Sequence, residues 1–143
     1  MPPNRKRRRE RGQALVEFAL VLPVFLAIVL ATVDFGWALR SYITLTNAAR
    51  EGARLGVTGA TACEIKAKTV TSSGGILTDS SCPPGPSSVT VTGAQGASGT
   101  TIEVQVDYNH DLITPLGAIV DLLGGGSLPG SLPISTKTVM RLE

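Results

Sequence analysis

Charge is what this sequence has least of. Of 143 residues, 17% are charged, against roughly 25% in soluble globular proteins. Aromatic residues are scarce as well. Five of the six, Phe18, Phe25, Phe35, Trp37 and Tyr42, fall in the first third, and beyond them stands only Tyr108. An aromatic-lined active site or cofactor pocket beyond residue 42 is thereby excluded. The single histidine, His110, and the two cysteines, Cys63 and Cys82, are too few N and S ligands for a zinc centre, and no CxxC spacing occurs. A Ser-His-Asp triad would have to be built on His110, which lies between Asn109 and Asp111 with no nucleophile motif to accompany it. We read His110 as a turn residue after a strand. Asp34-Phe35-Gly36 spells a kinase-like DFG, but neither a phosphate loop nor a catalytic loop goes with it. No cofactor, metal or small-molecule substrate is expected, and the chain reads as non-enzymatic.

The charge that is present is unevenly placed. Arg5, Lys6, Arg7, Arg8, Arg9 and Arg11 face only Glu10, and without residues 1 to 12 seven basic and ten acidic residues remain, a formal charge of −3. A basic run of this kind either binds nucleic acid or marks the cytoplasmic side of a membrane segment. The next 21 residues, QALVEFALVLPVFLAIVLATV from Gln13 to Val33, contain one charge, Glu17. As a helix they span about 30 Å, the thickness of a bilayer's hydrocarbon core. The run is therefore a topology signal and no nucleic-acid partner is expected. The N-terminus is placed in the cytoplasm and the C-terminal portion outside.

A cleaved secretory signal fits poorly, because the apolar stretch is too long and continues without turn chemistry through Asp34 into WALRSYITLTNAAREGARLG. Tyr42, Leu45 and Ala49 recur at helical spacing, and Ala48, Gly52 and Gly56 place a small residue at every fourth position. One helix from about Gln13 to Leu55 is the simplest account, about 65 Å long, so its second half stands outside the bilayer. There Arg50, Glu51 and Arg54 lie within a turn of one another and are placed to pair weakly. The small-residue face packs either on the protein's own outer domain or on other copies and subunits of a filament.

Glu17 lies in the apolar segment, where a carboxylate costs about 2.5 to 3.5 kcal/mol at the centre and less near the interface. It either reaches the headgroups or has a partner. Cutting after Gly12 would create an amine on Gln13, four residues away, and in a low-dielectric setting the two charges would neutralise each other.

These residues resemble a known family. Arg11-Gly-Gln-Ala-Leu-Val-Glu-Phe-Ala-Leu-Val-Leu-Pro23, then Asp34-Phe35-Gly36, then Asn47-Ala-Ala-Arg50-Glu51-Gly52-Ala-Arg54, look like the TadE-like proteins of the Tad (Flp, type IVb) pilus system. The resemblance implies a minor pseudopilin or accessory subunit, a single-pass protein of the bacterial cytoplasmic membrane. Its implied partners are other pilus subunits, the Tad secretion machinery, membrane lipid and a prepilin peptidase. By the same resemblance Gly12 precedes the cut, Gln13 is the mature N-terminus and Glu17 is the fifth mature residue. Phe18 stands where this branch often carries Tyr.

Beyond Gly56 the composition shifts to Thr, Ser, Gly and Pro. Ala60 to Val70 reads as a short helix with Glu64 and Lys68 paired at i,i+4, and Ser72 to Ser88 as turns. Residues 88–91 and 100–108 read as strands, with Ile102, Val104, Val106 and Tyr108 on one face and Glu103, Gln105 and Asp107 on the other. Residues 134–143 form a third strand whose register is harder to read, because Lys137 and Arg141 share a face with Val139. Cys63 and Cys82 enclose 18 residues on the side the charge rule places outside, and a disulfide is expected. Between the last two strands the apolar segment 111–133, with a helix from Pro115 to Leu123, is either a lid over the sheet or an exposed patch. The expected fold is α+β, a long N-terminal transmembrane helix extending outside the membrane and packed on a small antiparallel sheet. Its parts are a leader at 1–12, the long helix at 13–56 (membrane-spanning over about 13–34, then 35–56 outside), and an extracytoplasmic α+β domain at 57–143. The rival reading is a bitopic extracytoplasmic scaffold or binding module that is never processed and never enters a pilus.

Overall fold

No turn-forming cluster interrupts the chain between the basic run and Gly59, and one helix runs the whole way. In the computed structural model, which describes residues 5–82, 88–122, 124, 126 and 129–142 with side chains from Gly12 onward, α1 is Arg5–Val57. At 1.5 Å per residue it is about 80 Å long. It starts earlier than the sequence indicated, inside the basic run, so the change of charge at Gly12 is not a break in the backbone. The side chains of that run and residues 1–4 lie outside the described residues. Pro23 is inside the helix, a position tolerated in apolar helices despite the missing N–H. The helix ends where Gly59 takes the left-handed conformation at φ +84°, with the Thr58 and Gly59 amides donating back to Leu55 and Gly56 carbonyls.

Helix α2 is Ala62–Ser72. Its start is set by a capping box: the Glu64 amide donates to Thr61 Oγ1 (3.3 Å) and the Thr61 amide to Glu64 Oε2 (2.8 Å). The expected Glu64–Lys68 pair does not form, because the Glu64 carboxylate turns back to the cap instead.

Three strands make one antiparallel sheet in the order β1-β2-β3: β1 Val89–Thr92, β2 Thr101–Asp111 and β3 Ser131–Arg141. Val91 faces Val104, Val106 faces Thr136, and His110 faces Leu132. The alternation expected in the central strand is present, with Ile102, Val104 and Val106 fully buried. Tyr108 is half-buried against them. The third strand places Ile134 and Thr136 inward and Lys137, Val139 and Arg141 outward, where Lys137 Nζ meets Glu103 Oε2 at 2.8 Å. Pro133 is accommodated because β3 is an edge strand. His110 is a correction. It is a buried residue of β2, since the β2–β3 ladder continues to Asp111–Ser131 and draws Asn109–Asp111 into the strand.

The chain divides into two compact units. One comprises Trp37–Asp111 and Ser131–Glu143. Its core joins Ala38, Leu45, Ala49 and Ala53 of α1 to Ile65, Leu77 and the inward faces of the sheet. The small-residue face of α1 is thus turned onto the protein's own sheet and α2, whereas Tyr42, read at helical spacing with Leu45 and Ala49, is exposed. The other unit comprises residues up to Gly36 together with Leu112–Gly130. Segment 112–130 belongs to this second unit. It contains α3, Leu116–Leu122. Gly124, at φ +76°, follows it with its amide on the Asp121 carbonyl. The expected last residue, Leu123, lies outside the described residues, as do residues 83–87 of the turn-rich segment.

Cys63 and Cys82 are disulfide-bonded, with Cα atoms 5.8 Å apart. The bond ties α2 to the end of the 73–82 loop. Lys66 reinforces the tie: its side chain is buried, and its ammonium donates to the Ser81 carbonyl at 3.0 Å and lies 3.4 Å from Asp79 Oδ2. Replacing both cysteines by serine is expected to cost about 3 kcal/mol by loop-closure entropy. Urea unfolding of the full chain in detergent, followed by circular dichroism, checks this against the unreduced parent.

Candidate functional site

Most of the candidate functional residues lie on α1, and the structure separates them into four groups. The first is the apolar stretch. Leu15, Phe18, Leu20, Val21, Phe25 and Ile28 are each more than half exposed. The helix contains an 18-residue window of mean hydropathy 2.7 with none of it buried. So long an apolar surface without protein cover matches a hydrocarbon environment in length and in chemistry. It has the form of a single-pass membrane anchor.

The second group is the junction. Gly12, Gln13 and Glu17 are helical and exposed. Gln13 Nε2 donates to Glu17 Oε1 at 3.2 Å, so residue 13 and the carboxylate are within reach of each other along one turn. Gly12 has no atom near the position its Cβ would occupy. Nothing in the fold of the chain itself calls for glycine there.

Asp34 forms the third. It is the first acidic residue after Glu17 and is 2% exposed. Its Oδ1 accepts the amides of Ile113 and Thr114, each at 3.1 Å. Its Oδ2 accepts the Thr114 hydroxyl. A carboxylate at the end of an apolar span is costly if left bare, and three donors on a chain segment 79 residues away satisfy it. The sequence singled out Asp34, but gave no indication that Thr114, just before Pro115, is its partner.

The remaining residues form the fourth group, a polar and small cluster at 47–54. Gly52 is buried against Thr69 of α2: a Cβ there would overlap Thr69 Oγ1 and come within 3.3 Å of the Ile65 carbonyl. Asn47, Arg50, Glu51 and Arg54 are exposed and, at spacings of three and four, share one face. Among the described residues neither arginine is in ion-pair contact with Glu51, so the weak pairing expected there is absent. Gly36 is exposed with open space around it.

The family model for TadE-like proteins matches residues 12–54. This stretch is a TadE-like segment. It contains all four groups, beginning at Gly12 and ending at Arg54, and it lies within residues 11–56, where the sequence resembles that family. No curated protein and no solved structure gives a significant match. The TadE-like segment points to a Tad pilus-associated protein on an N-terminal helix of membrane-anchor type. Outside it, chemistry is sparse. No cluster of three or more His, Cys, Asp or Glu residues with metal-site geometry occurs among the described residues. A cleft of about 330 Å³ is lined by Trp37, Arg40, Ser41, Thr44 and residues 73–76, where the Arg40 guanidinium sits 5.0 Å from the Trp37 ring centroid. No carboxylate, histidine, lysine or cysteine is among these lining residues. Two carboxyls have lowered pKa values. Glu64 is held below the usual range by the Thr61 amide and hydroxyl, and Asp79 by the Ser81 hydroxyl and amide, with a smaller effect of Lys66. Both shifts come from structural caps.

Proposed function

We propose that this chain is a pseudopilin or accessory subunit in the assembly of a Tad (Flp, type IVb) pilus. The observation that carries the reading is the coincidence of the TadE-like match with a helix whose first part is apolar and uncovered while its second part is packed on a folded domain. In this reading residues 13–34 cross the cytoplasmic membrane, 35–56 continue outside, and the remainder to 143 folds there. The basic leader at 1–12 stays in the cytoplasm, and a prepilin peptidase removes it between Gly12 and Gln13. The disulfide between Cys63 and Cys82 is consistent with an oxidising outer compartment. The role is structural, with no catalysis.

The new Gln13 amine would lie one helical turn from Glu17, and in the membrane the pair would cancel two otherwise costly charges. Neighbouring subunits would use the same pair to set their axial position. The exposed face of Asn47, Arg50, Glu51 and Arg54 would meet another pilus subunit. Glu17→Gln keeps shape and removes charge. It should leave cleavage intact while pili are lost, as counted by electron microscopy on cells expressing each form. Undiminished pili would remove Glu17 from assembly.

Topology has its own test. A phosphatase fused at the C-terminus should be active, as it folds only outside the cytoplasm, because six basic residues precede the apolar run against one acidic. Activity of a cytoplasm-only reporter at the same position would overturn the orientation.

The leading alternative is a bitopic scaffold that keeps its leader. The unbroken helix from Arg5 through Gly12 is compatible with it.

A further inference from the structure

Segment 112–122, LITPLGAIVDL, is apolar apart from Thr114 and Asp121, yet its helix α3 contains no buried residue. Ile113 is 62% and Leu122 82% exposed. Such a segment ordinarily either packs into a core or has a partner. It belongs to the same compact unit as the apolar part of α1, and it is fixed there by Asp34, whose carboxylate accepts the Ile113 and Thr114 amides. Asp34 directly follows the 21-residue apolar run. The exposed apolar surface of that run passes through Val33 and Phe35, and Ile113, held by Asp34 between them, adds to it.

We propose that residues 112–122 dock on the outer leaflet of the membrane as an interfacial element, with lipid as the partner of Ile113 and Leu122. The inference rests on the reading of α1 as a membrane span. Three features place the segment at the interface and not deeper. Seven helical residues are too few to cross a bilayer. Exposed Asp121 has to remain in water. Asp34 ties the segment's start to the end of the span. An apolar face of this size sinks about 5 to 10 Å into the boundary between headgroups and acyl chains. Asp34 then has a specific task. A carboxylate at the membrane edge would otherwise draw water, and by binding two backbone amides and the Thr114 hydroxyl it both shields its charge and holds the apolar segment against the bilayer.

The test uses the full chain in vesicles of phosphatidylcholine and phosphatidylglycerol at less than one copy per vesicle. Single cysteines, Ile113→Cys, Leu122→Cys and Ile28→Cys, are labelled with an environment-sensitive fluorophore. Both native cysteines are in the disulfide and do not react. At 113 and 122 the expected result is blue-shifted emission, strong quenching by lipid brominated near the headgroup, and protection from aqueous iodide. Iodide quenching at both, with no response to brominated lipid, would overturn the proposal. So would protection from iodide without any response to brominated lipid, which would identify a protein cover. The label at Ile28 separates the two readings. Quenched by deeply brominated lipid, it upholds the span whatever 113 and 122 do. Left unquenched, it would remove the span and the docking together.

Discussion

Replacing Gly12 by valine leaves a precursor that keeps its twelve-residue basic leader. The peptide bond after residue 12 sits within α1, where the backbone is hydrogen-bonded and unavailable for attack. A peptidase has to draw this turn into an extended strand. Glycine weakens a helix by roughly 0.5 to 1 kcal/mol relative to alanine and leaves no Cβ between the bond and the catalytic groups. Valine opposes the enzyme sterically at the bond and adds nothing to the packing of the chain, since the space around Gly12 is empty. The domain should therefore fold and insert normally while the mass of the membrane-extracted protein rises by the leader, and filaments should be absent. A variant cut as efficiently as the parent would take Gly12 out of the processing site.

Gly52→Val should be strongly damaging to the unit made of Trp37–Asp111 and Ser131–Glu143. Here glycine is required for close approach, because α1 and α2 touch almost backbone to backbone and the added atom would collide with Thr69 Oγ1. That hydroxyl already donates to the Ile65 carbonyl at 2.9 Å, so moving it breaks a buried hydrogen bond. Overpacking of this kind costs about 1 to 3 kcal/mol. The cost exceeds what valine recovers in helix propensity over glycine, about half a kcal/mol or less. Gly56→Ala should cost less. The atoms its Cβ would meet first are the Cδ1 ends of Ile102 and Ile65, flexible side-chain tips and not backbone, and alanine adds only that one carbon. Urea midpoints of the two variants in detergent should fall in that order. Equal midpoints, or a stabilised Gly52→Val, would show that the helices do not meet as described.

The two substitutions also explain which parts of the chain were readable. The long apolar helix was legible because hydropathy needs no tertiary partner to have meaning. The inward face of β2 was legible because alternation at Ile102, Val104 and Val106 is local. The pairing of Cys63 with Cys82 followed from there being no other cysteine. Misreadings arose where a distant residue decided the outcome. His110 lies in a run of turn formers, but β3 supplies backbone partners through Ser131 and keeps it in the strand. Lys66 is buried in α2, and the Ser81 carbonyl and Asp79, more than ten residues on, make that burial tolerable. Glu64 had two local options, Lys68 one turn on and Thr61 at the cap, and the orphan amide of the helix start was the stronger claim. Within the TadE-like segment the motif letters alone did not separate Asp34 and Gly52, which hold this chain's own structure together, from Asn47, Arg50, Glu51 and Arg54, which face outward. Only the partners on α2 and at 113–114 make that division.

The most direct test of pilus assembly is the N-terminus of the wild-type protein in filaments sheared from cells. Peptide mapping by mass spectrometry should find the chain in that fraction with its first residue at Gln13 and no peptide from the basic leader. A functional protein that starts at Met1 or Pro2, remains with the membrane, and supports undiminished pili when Glu17 is glutamine would contradict the account and leave the unprocessed scaffold in its place.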